Sequence, residues 1–119
     1  NNVGKSLKGH RVLVLGAAYK PDIDDLRESK ALDVISLLRR KGALVEYNDP
    51  YIPHIAHDDW ALDSVKDLSQ ALRDADCVVI ITNHKKYDYQ EVLQSSQLIV
   101  DTRNAIGEAG RGNPKVVRL

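Results

Sequence analysis

The sequence predicts an α/β domain, a three-layer sandwich around a mostly parallel sheet of five to six strands. Three observations carry this. Two short apolar runs, Arg11–Leu15 (RVLVL) and Cys77–Ile81 (CVVII), have the length and β-branched content of strands buried on both faces. Between them, Ala31, Val34, Ile35 and Leu38 fall at i, i+3, i+4 and i+7, one apolar face of a helix. Strand-like and helix-like segments then alternate along the chain, as in units whose crossovers make a sheet parallel.

Each element has its own local reason. The first strand, Arg11–Leu15, runs into a polar loop, and a helix follows over Ser29–Lys41. Arg39, Arg40 and Lys41 load its last turn, where the helix dipole favours cations, and Gly42 stops it. A second strand, Ala43–Tyr47, is ended by N-D-P-Y-I-P, whose two prolines forbid its continuation. His54 to Asp63 is the least regular stretch, with a short third strand expected near Leu62–Val65. A helix over Asp67–Asp74 leads to the central strand Cys77–Ile81. After the loop T-N-H-K-K-Y-D come a short helix, Tyr89–Gln94, and a strand, Leu98–Val100, that ends in D-T-R-N. Lys115–Arg118 is a candidate last edge strand.

A strand order 3-2-1-4-5 would set strands one and four side by side at the point where the winding reverses, and ligands bind there at the carboxyl ends of strands. Three loops would converge: Gly16–Ser29, Thr82–Asp88 and Asp101–Asn104. Each brings cations, Lys20 and Arg27 from the first, Lys85 and Lys86 from the second, Arg103 from the third.

Composition bounds the function. The chain has 119 residues, enough for one domain, with 43% apolar and 29% charged residues. A net charge of +0 argues against nucleic acid as a partner. The apolar runs are far too short for a membrane helix, and the start, N-N-V-G-K-S, has no apolar leader. The single cysteine excludes an internal disulfide and suits a cytoplasmic location. With no initiator methionine, residues 1–119 are expected to be an excised domain, with part of an active site elsewhere.

The motifs divide into phosphate chemistry and ordinary structure. Lys20 and Arg27 are candidate anion ligands, with local pairing to Asp22, Asp24, Asp25 or Glu28 as the alternative. Arg103 is a candidate phosphate or hydroxyl clamp, with an ion pair to Asp101 or Glu108 as its alternative. The dinucleotide fingerprint G-x-G-x-x-G is missing: the chain has G-A-A-Y-K-P, so this is not a principal NAD-binding domain. Asp49 is expected to be a turn residue before Pro50, and His84 an exposed loop or capping histidine. Gly4-Lys5-Ser6 precedes the first strand and lacks the rest of a phosphate loop. His54, His57, Asp58 and Asp59 lack a matching further metal ligand, and Cys77 opens a central strand as an inert buried thiol. No catalytic nucleophile or paired-carboxylate arrangement stands out.

Taken together, V-L-V-L-G-A-A-Y-K-P-D-I-D-D-L-R-E-S, A-L-D-V-I-S-L-L-R-R-K-G, Y-N-D-P-Y-I-P, A-D-C-V-V-I-I-T-N-H and I-V-D-T-R-N resemble the C-terminal domain of the UDP-glucose/GDP-mannose dehydrogenase family, from about Gly4 to Gly107. The resemblance implies a Rossmann-like, UDP-binding domain that follows an NAD-binding domain and a central, dimer-forming domain. It implies oxidation of a sugar C6 alcohol to a carboxylate with two NAD, a homodimeric full-length enzyme, and a catalytic cysteine outside this chain that Cys77 does not replace. By motif position it assigns Tyr19, Lys20 and Arg103 to the UDP-sugar and Arg27 to NAD on the other domain. Within the family the motifs look most like UDP-N-acetylhexosamine 6-dehydrogenases. Two other readings stand beside this one, a receiver-like signalling module and a stand-alone nucleotide-binding adaptor.

Overall fold

The structure is a computed structural model, described here for residues 7–119; Gly4-Lys5-Ser6 lies outside the described residues. Five parallel strands form the central sheet. They are β1 (Arg11–Leu15), β2 (Leu44–Asn48), β5 (Cys77–Ile80), β6 (Ile99–Asp101) and β7 (Val116–Arg118), in the order β2-β1-β5-β6-β7. Val12 of β1 stands beside Val45 of β2 and Cys77 of β5. Strands β1 and β5 are thus neighbours, as the sequence predicts.

Alternation along β1 fills two cores. Val12 and Val14 face one side, with Ala31 and Ile35 of helix α1 (Lys30–Arg40) and with Val45 and Tyr47. Leu13 and Leu15 face the other. There they meet Leu72 of α2 (Leu68–Asp74), Val92 of α3 (Tyr89–Ser95), Val78, Ile80 and Ile99. All four β1 residues are at most 2% exposed, so both faces of the sheet are covered and the domain has three layers. Side-chain oxygens cap each helix: Ser29 accepts from the Ala31 amide, Asp67 from Gln70, and Asp88 from Gln90 and Glu91.

The segment expected to be irregular is an antiparallel hairpin. Strands β3 (His54–His57) and β4 (Trp60–Asp63) pair with each other and leave the main sheet alone. The predicted third strand therefore lies outside the sheet, and the order 3-2-1-4-5 gives way to one with β2 at the edge. Short-range alternation was present in the sequence: Ile55 and Trp60 are buried while His54, Ala56 and Ala61 are exposed. What places the hairpin is tertiary, because the Trp60 indole N–H donates to Ser36 Oγ on α1 at 2.9 Å. The histidines of this hairpin are engaged locally, His54 with Asp63 at 2.7 Å and His57 with Asp58 at 3.4 Å. Among the described residues no helix is long and apolar enough to cross a membrane.

Candidate functional site

The site is built at the carboxyl end of β1. Gly16 leaves the strand with φ +87°. An added Cβ there would lie 2.4 Å from the Thr82 carbonyl oxygen, so only glycine lets the first loop cross the end of β5. The Gly16 amide donates to the Asn48 carbonyl at 2.9 Å, which ties the same point to β2.

Beneath this crossing lies a buried polar network. Asp49, just past β2, is 2% exposed, and its Oδ2 accepts the amides of Ala17 at 2.7 Å and Ala18 at 3.0 Å. Its Oδ1 accepts the Tyr51 amide at 2.8 Å, the turn bond its place before Pro50 predicts. The carboxylate is thus far more than a turn residue. Fully buried His84 sits 2.8 Å from Asp49 Oδ2 through Nε2, while its Nδ1 accepts the Asp22 amide at 2.8 Å. The expectation of an exposed histidine is overturned. The sequence around His84 is polar, but three loops and the rings of Tyr51 and Tyr87 close over it.

Above the network is a cleft of about 340 Å³, lined by Ala18, Tyr19, Lys20, Glu28, Lys30, Ile81, Thr82 and Arg103. Of the residues singled out from the sequence, Tyr19, Lys20 and Arg103 come together here. Tyr19 is 45% exposed, and the Lys20 ammonium lies 5.6 Å from the centre of its ring. Arg103 is carried on a turn built by its neighbour. Fully buried Asp101 accepts the amides of Arg103, Ala105 and Ile106 at 3.1, 2.9 and 3.0 Å. That use of Asp101, and the pairing of Glu108 with Arg111 at 3.5 Å, account for both carboxylates that local pairing would have offered Arg103.

Arg27, Lys85 and Lys86 do not line the cleft. Arg27 stands outside it, its side chain 88% exposed and paired with Asp25 at 3.0 Å. The Arg27 hydrogen bonds hold the Asp25 carboxyl below its usual range. Lys86 stacks 4.6 Å from the Tyr51 ring, and the Lys85 amide donates to Asp22 Oδ1. Sequence reasoning missed Lys30, and it placed Thr82 in a converging loop without giving it a part in the anion site. Lys30 is the first residue of α1, directly after the capping serine. Thr82 donates its hydroxyl to the Ala18 carbonyl at 2.7 Å, which locks the β5 loop to the β1 loop.

Chemically, the cleft sets three cations, Lys20, Lys30 and Arg103, against one carboxylate, Glu28. In a chain of net charge +0 this local excess suits an anion. A more open hollow of about 570 Å³ lies over Arg11, Arg39 and Gly42–Glu46, at the amino ends of β1 and β2, away from the converging loops. The first loop does not fit a dinucleotide pyrophosphate, because Asp49 already occupies the amides of Ala17 and Ala18. Cys77 starts β5 at the far end of the sheet, and burial pushes its thiol up to about 11.

A parallel, doubly covered sheet with its cleft at the carboxyl ends of β1 and β5 defines a Rossmann-like α/β domain. The model of the UDP-glucose/GDP-mannose dehydrogenase family, UDP binding domain, matches residues 13–108, and the chain belongs to that family. A UDP-N-acetyl-D-mannosamine dehydrogenase of Campylobacter jejuni is 40% identical over 87 residues, 70% of this chain and 21% of that protein. A UDP-glucose 6-dehydrogenase of Rhizobium meliloti is 34% identical over 107 residues, 85% of this chain and 24% of that protein. Among solved structures, the UDP-D-ManNAc dehydrogenase of Pyrococcus horikoshii superposes with a TM-score of 0.73 at 27% identity, over 94% of this chain and 26% of that one. The chain thus spans about a quarter of the length of these relatives.

Proposed function

We propose that this chain is the UDP-sugar-binding C-terminal domain of an NAD-dependent nucleotide-sugar 6-dehydrogenase. The whole enzyme oxidises the C6 alcohol of a UDP-hexose, a UDP-N-acetylhexosamine before UDP-glucose, to a uronate, using two NAD. The observation that carries the reading is that Tyr19, Lys20 and Arg103, from two separate loops, line one cleft. A diphosphate carries the charge those cations lack, and the Tyr19 ring offers a flat apolar face to a base or sugar. NAD belongs to an N-terminal domain outside this chain, because the first loop here has its amides filled by Asp49. Arg27, exposed and outside the cleft, is the one residue assigned to reach that NAD. A central domain completes a cytoplasmic homodimer. On this reading the domain alone turns over nothing, and the catalytic cysteine belongs to a part of the enzyme outside this chain.

The test is calorimetry of this chain with UDP, UDP-GlcNAc, UDP-glucose and acetyl phosphate. The reading expects weak binding of UDP and UDP-sugars. Phosphoryl uptake with no UDP response would replace it with the signalling module. Tight UDP binding by the isolated domain would favour the stand-alone adaptor.

A further inference from the structure

We propose that His84 is a positioning residue that sets the Lys20 loop for the anion held in the cleft; this rests on the reading of that cleft as the UDP site. His84 lines no part of the cleft and is fully buried. A backbone amide can only donate, so the bond from Asp22 leaves the imidazole proton on Nε2, which donates it to Asp49 Oδ2. The ring Nδ1 then carries the lone pair, and it takes the Asp22 amide at 2.8 Å. The tautomer is fixed by these two partners.

The two bonds bracket the ligand-facing residues. Asp49 Oδ2 holds the amides of Ala17 and Ala18, immediately before Tyr19 and Lys20. His84, bound to the same carboxylate oxygen, holds the amide of Asp22, two residues after Lys20. Asp22 has φ +65°, a left-handed conformation that aspartate tolerates better than most non-glycine residues. Two contacts hold it here: the imidazole on its amide, and the Lys85 amide on its Oδ1 at 2.8 Å. The histidine is itself pinned, since its carbonyl accepts the Tyr89 hydroxyl at 2.8 Å and the Tyr51 ring lies 4.9 Å away. Lys20 and Tyr19 thus stand on a short span fastened at both ends to one buried side chain, Asp49, and His84 is the link at the distal end.

His84→Leu fills most of the space but leaves the Asp22 amide without an acceptor. His84→Gln keeps one donor and one acceptor. We expect His84→Leu to weaken UDP binding about tenfold, and His84→Gln to recover most of that. The discriminating readout is a double-mutant cycle. If His84 acts through Lys20, His84→Leu adds little once Lys20→Ala is present, yet keeps its full effect beside Arg103→Ala. A merely structural role would add in full to both, and that result overturns the proposal, as does unchanged UDP affinity in His84→Leu.

Amide exchange gives a reading that does not depend on a ligand: Asp22 protection is lost in His84→Leu and kept in His84→Gln. If the wild-type chain binds no UDP, the functional reading falls on its own, and unchanged Asp22 protection in His84→Leu overturns the positioning role. Should His84→Leu not fold, the wild type decides. UDP saturation is expected to slow exchange at the Asp22 amide, and equal rates with and without UDP overturn the proposal.

Discussion

Gly16 and Thr82 approach so closely that a β-carbon on the glycine would sit 2.4 Å from the threonine carbonyl oxygen and 2.5 Å from its Cβ. This crossing brings the first loop of the cleft against the loop that follows β5, and the Thr82 hydroxyl bond to the Ala18 carbonyl fastens the two. Gly16→Ala combines a backbone clash with a φ of +87°. We expect it to cost at least about 2 kcal/mol of stability, measured by urea unfolding. An alanine variant as stable as the wild type would mean the two loops separate without cost.

The cleft cations make a second prediction. Lys20→Ala and Arg103→Ala should each weaken UDP-sugar binding about tenfold by calorimetry, since each removes one charge-assisted contact. Lys30→Ala, at the start of α1 on the same cleft, should act in the same direction. All three losses should shrink as salt is raised, because the cleft is open to solvent. Affinity that is unchanged in Lys20→Ala and Arg103→Ala would remove the site assignment.

Arg27 is expected to behave differently. It is exposed, paired with Asp25, and outside the cleft lining. Arg27→Ala should leave UDP affinity of this chain within about twofold and its stability unchanged, since exposed ion pairs contribute little. In the full-length enzyme the same change should raise the KM for NAD more than that for the sugar. An equal rise in both would place Arg27 at the substrate.

Tyr47 sets an alkaline limit on stability. Burial pushes its hydroxyl from 10 up to about 12, with the charges of Asp49 and Asp63 adding to the rise. In the fold the hydroxyl donates to the Ile52 carbonyl at 2.8 Å. Because the folded value is the higher one, this contribution is complete below pH 10 and is lost as pH rises through about 12. Tyr47→Phe should unfold at lower urea at neutral pH and lose less stability over that alkaline window. A parallel decline in both proteins would assign the effect to the other groups that burial raises, Cys77, Tyr87 and Tyr89.

The chain's own residue pattern determined the layers, the parallel sheet, the neighbouring of β1 and β5, and the loops that meet above them. These follow from local rules: β-branched runs make strands, one apolar stripe makes α1, and Ser29, Asp67 and Asp88 cap helices wherever they precede one. Motif position also picked out Tyr19, Lys20 and Arg103, which share a cleft. Tertiary structure decided the rest. Tyr87 and Tyr89 lie close to His84 in sequence, but the two groups its imidazole bonds, on Asp22 and Asp49, lie 62 and 35 positions away. Asp49 looks like a turn aspartate until the first loop folds its amides onto it. The hairpin lies outside the sheet, with Trp60 bonded to Ser36 on α1, 24 positions distant. Which of five candidate cations face the cleft was likewise a matter of packing. Lys85, Lys86 and Arg27 have the right charge, but none lines the cleft: Lys86 stacks on Tyr51, Arg27 pairs with Asp25, and Lys85 is tied to Asp22 through its backbone amide. Local periodicity is written in neighbouring residues; burial of a polar group depends on which distant segment closes over it, and only the assembled fold supplies that.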